Sequence, residues 1–189
     1  MFQKLPAFFG KALGGVRAGP DKLLLNEEAA SAPETIRVES AAFDDGERIP
    51  IRFTADGEGI SPPLAWSNLP ADTRQVLIVV EDPDIPAPQP FIHLIAILDG
   101  ATTAVAEGQF KHGVGSARLG KHSMGGIGWL PNDPPPGHGP HHYLFQVFAL
   151  DRAIDWDAKP GKDEVKAALT GAVIAKGVLV GVYERTKAA

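Results

Sequence analysis

Residues 75–99, QVLIVVEDPDIPAPQPFIHLIAILD, contain the pattern that decides the fold of this chain. Two apolar runs, at 76–80 and 91–98, are rich in β-branched residues and do not alternate with polar ones, which predicts strands covered on both faces. Four prolines follow the first run. Each fixes φ at about −65° and removes an amide donor, so a two-residue hairpin is excluded. We expect two buried strands joined by a rigid, acidic turn.

His93 interrupts the second apolar run, and another histidine-bearing turn follows later in the chain. Residues 132–143, NDPPPGHGPHHY, lead from a Pro/Gly-rich turn directly into an apolar run at 144–150. A lone histidine in an apolar strand is usually a core residue with a hydrogen-bond partner. Two such turns could instead bring their histidines together at one rim of the sheet, which favours a functional site.

Length, composition and charge limit the class of protein. The chain has 189 residues, 44% of them hydrophobic and 22% charged, which suits one globular domain with a core. Its net charge of −5 argues against a general nucleic-acid binder, because no basic stripe is present to neutralise phosphates. The lack of cysteine excludes disulfides, thiolate metal ligands and a cysteine nucleophile.

The first 33 residues predict an amphipathic helical extension and a linker ahead of a domain that spans residues 34–189. Apolar residues recur there at three- and four-residue steps, as on one face of a helix. They are Phe2, Leu5, Phe9, Ala12, Leu13 and Val16. The helix could cover an apolar patch of its own domain or of a second subunit in a homodimer, or lie on an anionic membrane. Glycines and a lysine interrupt any signal-peptide core, so we expect a cytoplasmic protein.

The remaining segments predict further strands and one helix. Alternation over 36–38 and again over 49–53 is typical of half-buried antiparallel strands. Apolar spacing predicts a helix over 162–176, which Gly177 ends, and then a strand over 178–183. The predicted architecture is mostly β, with two antiparallel sheets packed face to face and a few peripheral helices.

The polar residues of the two turns suit some kinds of site better than others. Their spacing matches no metal motif, although aspartate and histidine can bind divalent ions, and no GxSxG nucleophile elbow is present. We therefore expect no metal, no cofactor and no catalysis. Anion binding suits these residue types, because an imidazole held by a carboxylate can present an N–H to a phosphate oxygen. His138 is predicted to be a solvated loop histidine.

Four motifs follow one another along the chain: SPPLAW at 61–66, DPDIP at 82–86, His93, and GPHHY at 139–143. In this order and spacing they resemble the phosphatidylethanolamine-binding protein family, specifically its bacterial Raf-kinase-inhibitor-like branch. The resemblance extends over roughly residues 36–185. It implies the family's sandwich of two antiparallel sheets.

The resemblance also implies a small pocket that accepts phosphate-type head groups. Its polar lining would be Asp82, His93, His141 and Tyr143, and its walls would be Pro83, Phe91 and Pro134. Asp84 and Pro86 are expected to be scaffold. The implied function is binding of a phosphate-bearing small ligand, such as a phospholipid head group. The alternative is a regulatory protein that binds and inhibits a kinase or protease partner.

His142 departs from the family pattern, which usually has arginine between the last histidine and the tyrosine. A permanent cation is thus replaced by a group that is mostly neutral at about pH 7. If that arginine is structural and pairs with a carboxylate such as Asp84, we expect a looser loop here. If that arginine attracts anions, the affinity of this protein for anions should be lower. The sequence leaves both alternatives open.

Overall fold

The computed structural model describes residues 7–156 and 159–185. Its strands are β1 (Arg37–Glu39), β2 (Leu64–Ser67), β3 (Gln75–Asp82), β4 (Phe91–Asp99), β5 (Ala104–Val105), β6 (Arg118–Leu119), β7 (His141–Leu150) and β8 (Val173–Tyr183). Its helices are α1 (Ala7–Leu13), α2 (Leu24–Glu27) and α3 (Lys162–Leu169). The strands pair antiparallel in a small sheet, β1-β2-β5, and a large sheet, β6-β4-β3-β7-β8. The predicted mostly β architecture is confirmed.

Both faces of the large sheet are covered, which explains apolar runs that do not alternate. On β3, Val76, Ile78 and Val80 belong to the core between the two sheets. Leu77 and Val79 lie on the opposite face, in a second core that includes residues of α2 and α3. Each of these side chains is fully buried, which stabilises the fold by about 1.5–3 kcal/mol relative to exposure. β3 and β4 therefore form the centre of the molecule.

Two buried charges hold α2 on the outer face of the large sheet. The Glu81 carboxylate accepts a hydrogen bond from the Leu24 amide at 2.9 Å. The Lys176 ammonium donates to the carbonyl oxygens of Leu25 and Ala29 at 3.3 and 2.8 Å. An anion at the start of a helix and a cation at its end both complement the helix dipole. Part of the predicted extension thus joins the core, and the domain boundary at residue 33 stays a prediction.

The first helix differs from the predicted amphipathic one. Phe2 and Leu5 lie outside the described residues, and Leu13 and Val16 are 41% and 49% exposed. The helix instead approaches the domain at Gly10, where a Cβ would lie 2.1 Å from a backbone carbonyl oxygen. Leu13 and Val16 thus do not pack against their own domain, and packing on a second subunit or on an anionic membrane stays a prediction. In the described ranges, each helix is too short or too polar to cross a bilayer.

The end of the C-terminal helix was also predicted wrongly. α3 ends at Leu169, and Gly171 follows it with a φ of 67°, in the left-handed region that favours glycine. The β-branched residues from Val173 onward then belong to β8. Gly177 lies inside this strand, where a Cβ would be 2.1 Å from the Ile36 carbonyl oxygen. Close approach of two backbones, not the end of a helix, accounts for this glycine.

The alternating residues 49–53 form no strand. Ile51–Phe53 is a 3-10 turn that begins after Pro50, and the Ile51 side chain is exposed. Proline removes an amide donor at this point, which disfavours a strand ladder. Phe53 nevertheless enters the core between the sheets, so the apolar pattern predicted burial better than it predicted conformation.

Candidate functional site

Strand register brings the two histidine-bearing turns together at one end of the large sheet. Asp82 at the end of β3 pairs with Phe91 at the start of β4. Glu81 pairs with Leu144 near the start of β7. The end of β3 therefore lies between the beginnings of its two neighbours. There, Asp82 Oδ2 and His141 Nδ1 are 2.7 Å apart, so the two turns share one rim.

A narrow cleft of about 30 Å³ opens at this rim. Its lining residues are Asp82, Ile85, Phe91, His93, Met124, Leu130, Pro131, Asp133 and Tyr143. The set includes the predicted Asp82, Phe91, His93 and Tyr143. A space of this size can hold a water molecule and is small for a ligand pocket, so it suits one small polar group at a time.

Three predicted site residues lie beside the cleft and not in its lining. Pro134 is buried, and its carbonyl oxygen accepts a hydrogen bond from Arg185 Nη1 at 2.6 Å. The Pro83 carbonyl oxygen accepts from the Gly19 amide at 3.0 Å. His141 is fully buried behind Asp82. These residues support the walls.

Sequence reasoning missed several lining residues from the glycine-rich region 100–140. Met124, Leu130 and Pro131 come from a stretch without periodic pattern, so no local signal indicated which of its residues reach the rim. Asp133 had a signal, since it precedes Pro134 in the second turn. It pairs with the buried Arg185 guanidinium at 2.9 Å, which gives its carboxylate a partner.

The His93 imidazole is fixed in one tautomer. Its Nδ1 lies 2.9 Å from the Leu130 carbonyl oxygen, which can only accept, so Nδ1 carries the proton. Burial lowers the pKa of His93, and this outweighs the opposite effect of Asp82. The ring is therefore neutral at about pH 7, and its other nitrogen, Nε2, is an acceptor. It becomes a donor only when the ring takes up a proton.

The Tyr143 hydroxyl is a second polar group of the cleft. The residue is fully buried, and its oxygen has no hydrogen-bond partner within the described residues. Burial, reinforced by the Asp82 and Asp133 carboxylates, raises the pKa of Tyr143 well above its usual value. The phenol thus stays protonated and can donate. A buried hydroxyl without a partner is costly, at about 1–3 kcal/mol, which makes a ligand a reasonable partner.

Behind the cleft, four groups form a hydrogen-bond chain. His141 Nδ1 contacts Asp82 Oδ2 at 2.7 Å, and His141 Nε2 contacts His138 Nδ1 at 2.8 Å. His138 Nε2 donates to the Leu13 carbonyl oxygen at 3.0 Å. Both ring nitrogens of His141 are thus engaged. The prediction that His138 is solvated was wrong, because His138 is only 3% exposed and links the site to the N-terminal segment.

Asp84, two residues after Asp82, has a different set of partners. Its Oδ2 accepts from both the backbone amide and the ring Nδ1 of His142 at 2.7 Å. Its Oδ1 pairs with Arg17 Nη1 at 2.6 Å. Burial favours a higher pKa for Asp84, but the His142 hydrogen bonds and the Arg17 charge outweigh it, so the pKa is lowered. Asp84 thus contacts both His142 and Arg17, and Arg17 supplies a permanent cation that His142 does not.

The acids and histidines at the rim face one another or the backbone. Across residues 7–156 and 159–185, no three His, Asp or Glu side chains are placed to hold one metal ion. Asp82 and His141 face each other, and His138 turns toward the N-terminal segment. The site offers hydrogen bonds instead.

Comparisons with known proteins agree with this fold and rim. The family model for phosphatidylethanolamine-binding protein matches residues 39–184. A UPF0098 protein from Pyrococcus horikoshii is 37% identical over 150 residues, which cover 77% of this chain and 75% of the relative. Another, from Methanothermobacter thermautotrophicus, is 33% identical and covers 79% of this chain and 99% of the relative.

Two solved structures are also similar. The phosphatidylethanolamine-binding protein homologue CT736 from Chlamydia trachomatis has a TM-score of 0.73 and 33% identity, covering 79% of this chain and 97% of its own. YbcL of Escherichia coli, described as a member of the mammalian family, has a TM-score of 0.73 and 27% identity, with coverage of 79% and 98%. The chain belongs to the phosphatidylethanolamine-binding protein family. It is a bacterial member, and its family supports a ligand-binding or regulatory role in general.

Proposed function

We propose that this protein binds a small phosphate-bearing anion, such as a phospholipid head group, at the cleft and does not transform it. The observation that carries the proposal is the Tyr143 hydroxyl, a buried donor in the cleft lining without a partner among the described residues. A phosphate oxygen is a strong acceptor and would satisfy it. His93 lies beside this donor, with its ring 5.1 Å from the Tyr143 ring and edge-on to it.

The charges of the cleft select the protonation state of the ligand. Asp82 and Asp133 both line the cleft, so they repel a phosphate dianion. Neutral His93 offers an acceptor at Nε2, which suits a ligand that carries a proton. A phosphate monoanion can accept from the Tyr143 hydroxyl and donate its P–OH to His93. Because phosphomonoesters lose their second proton at a pKa of about 6, binding should strengthen as the pH falls from about 8 toward 6.

The size of the cleft limits how much of a ligand it encloses. About 30 Å³ admits one face of a phosphate group and leaves the remainder of the molecule at the rim. Phe91 and Ile85 provide apolar walls for the atoms next to the phosphate. A head group or another phosphorylated compound therefore fits the site better than a buried acyl chain does.

The test is a calorimetric titration of inorganic phosphate and of phosphoethanolamine into wild type, Tyr143→Phe and His93→Gln between pH 6 and 8. Loss of the Tyr143 donor should weaken binding by about 1–2 kcal/mol, or roughly 5- to 30-fold. The matched control is Tyr183→Phe, which removes a tyrosine hydroxyl that bonds Asp56 at 2.7 Å outside the cleft lining. It should lower stability and leave affinity unchanged. Equal affinity in wild type and Tyr143→Phe would contradict the proposal.

A further inference from the structure

The N-terminal segment of residues 7–19, called the strap below, lies across the rim of the site. Gly10 packs against backbone atoms of Pro136 and His138. The Leu13 carbonyl oxygen accepts from His138 Nε2. At the end of the strap, the amides of residues 18 and 19 donate at 3.0 Å to the carbonyl oxygens of residues 85 and 83. The strap therefore contacts both histidine-bearing turns.

The strap fixes the number of protons on the hydrogen-bond chain behind the cleft. The Leu13 carbonyl can only accept, so His138 Nε2 must carry a proton. The His138–His141 and His141–Asp82 contacts need one proton each. Three protons are required in total, whereas two neutral imidazoles and one carboxylate hold only two. With the strap in place, the three side chains have a net charge of zero instead of −1.

Removing the strap removes the need for the third proton. His138 Nδ1–H can then donate to His141 Nε2, and His141 Nδ1–H can donate to the Asp82 carboxylate. Both contacts are satisfied with two protons, and His138 Nε2 becomes an acceptor that faces water. With the strap docked, that same lone pair would face the Leu13 carbonyl oxygen at 3.0 Å and repel it. The docked and undocked states therefore differ by one bound proton.

We infer that the strap is a proton-dependent closure of the site: it docks on His138 when the Asp82–His141 pair holds an extra proton and is released when that proton is lost. The burial of the hydrogen-bond chain supports a link between docking and protonation, since His141 is fully buried and Asp82 is 2% exposed. Water cannot replace the missing partner there. The strap contact at the Leu13 carbonyl oxygen is thus coupled to the charge of a residue that lines the cleft.

The charged and titratable groups around the chain agree with the placement of the proton. Burial, together with the positive charges of a protonated His141 and of Arg17, lowers the pKa of His138. The added proton is therefore shared by His141 and Asp82. The other groups that face this region are Asp84 on the β3 turn, His93 on β4, Tyr143 on β7, and the Asp133–Arg185 pair. Asp84 and Asp133 each have a cationic partner, so neither replaces Asp82 as partner of His141.

The direction of the pH dependence follows from the proton count. The docked state binds one more proton than the undocked state, so docking is favoured at low pH and is lost as the pH rises. Across that transition, the docking equilibrium should change by up to tenfold per pH unit, as a difference of one proton requires.

The test uses the full chain without ligand and measures hydrogen exchange at the amides of Ala18 and Gly19, which donate to the turn only when the strap is docked. After correction for the intrinsic exchange rate, wild-type protection should fall up to tenfold per pH unit across the transition. His138→Leu removes both ring nitrogens and so breaks the link between the Leu13 carbonyl and His141; its protection, although lower, should not depend on pH. His112→Gln changes an exposed histidine that is not part of the hydrogen-bond chain, so this variant should behave as wild type.

A second pair of variants separates the strap from the histidines. Gly10→Ala places a Cβ 2.1 Å from the Pro136 carbonyl oxygen and should undock the strap, whereas a Cβ at Gly15 meets nothing within 4 Å, so Gly15→Ala is the matched control. In ¹⁵N-histidine spectra, Gly10→Ala should shift the His141 titration to lower pH, and Gly15→Ala should not. A strap that stays docked in Gly10→Ala would overturn the inference. An unchanged His141 titration after release would also overturn it.

The inference does not depend on what the cleft binds, because both measurements are made without ligand. One consequence does rest on the proposed function. Neutralising Asp82 removes a negative charge from the cleft, so phosphate should bind wild type several-fold more tightly than Gly10→Ala at the same pH. If neither protein binds phosphate, the proposed function fails. The proton-dependent strap is still decided by exchange and titration.

Discussion

Two histidine–carboxylate pairs lie side by side at the rim, and they have different roles. Asp82–His141 and Asp84–His142 both have 2.7 Å between Nδ1 and Oδ2. The first pair is 2% and 0% exposed, whereas the second is 13% and 48% exposed. Water can replace either partner in the exposed pair but not in the buried one. Residue type and distance are the same, so burial determines what each pair contributes.

The exposed pair also has an additional partner from a distant part of the sequence. Arg17 on the strap supplies the second partner of Asp84 and lies 3.3 Å from the Pro140 carbonyl oxygen. The sequence left open whether the missing arginine at position 142 would leave this loop loosely held. Here His142 and Arg17 together hold Asp84, the role suggested for a structural arginine. The loop is thus held by two partners in place of one.

The strongest test of the comparison is to remove each histidine by the same substitution. His141→Leu leaves the Asp82 carboxylate buried without its partner, so we expect a loss of about 3–5 kcal/mol in the free energy of unfolding. His142→Leu leaves Asp84 with Arg17 and water and should cost less than about 1 kcal/mol. Urea unfolding at pH 7 measures both. Equal losses in the free energy of unfolding would show that burial does not determine the different contributions of the two pairs.

A double-mutant cycle asks whether Arg17 takes the place of the missing arginine. Arg17→Gln should cost about 1 kcal/mol, because a partly buried charge-assisted contact is lost. His142→Arg alone should add little, since Asp84 Oδ1 is already occupied. In the Arg17→Gln background it should recover most of the loss. Thermal and urea unfolding would show the coupling, with Arg37→Gln as an exposed control. Additive effects would mean that the two cations do not share Asp84.

The smallest expected effect concerns the pH dependence of the exposed pair. The pKa of Asp84 is lowered in the folded protein. Its contribution to the free energy of unfolding is therefore present above the unfolded-state pKa of about 3.8 and is lost as the pH falls through the lower folded-state pKa. Asp84→Asn keeps a side-chain oxygen that can accept one of these hydrogen bonds, so it should be less stable than wild type at pH 7 by about 0.5–1 kcal/mol and equal to it at the acidic end. Unfolding midpoints from pH 7 downward would measure this, with the exposed Asp72→Asn as control. A difference that grows in acid would reverse the assigned sign.

The sequence predicted those features that depend on local pattern. The runs at 76–80 and 91–98 predicted buried strands because both faces of the large sheet are covered. Motif order predicted the rim, because antiparallel pairing brings the end of one strand to the start of the next. The end of α3 was missed, because Val173 fits a helical apolar face as well as a strand. Pairing with β7 and the conformation of Gly171 decide that case.

The rest of the site depends on contacts between distant parts of the chain. Nothing local links Leu13 to His138 or Arg17 to Asp84, so His138 was predicted to be solvated and the position of the strap across the rim was not foreseen. Met124 and Leu130 reach the cleft through a loop whose path is set by packing, not by periodicity. Tertiary hydrogen bonds of this kind have no sequence period. They become visible only when the fold is known.

The Lys176 ammonium also sets an order of events during biosynthesis. Leu25, whose carbonyl oxygen it binds, emerges from the ribosome 151 residues before it. At about 5–20 residues per second, the lysine is made roughly 8–30 s later. Until then the carbonyl oxygens at the end of α2 lack their cation, and the β8 strand that carries it does not exist. The α2 segment is thus held in its final contacts only after β8 has been made, and its leucines remain without that support until then.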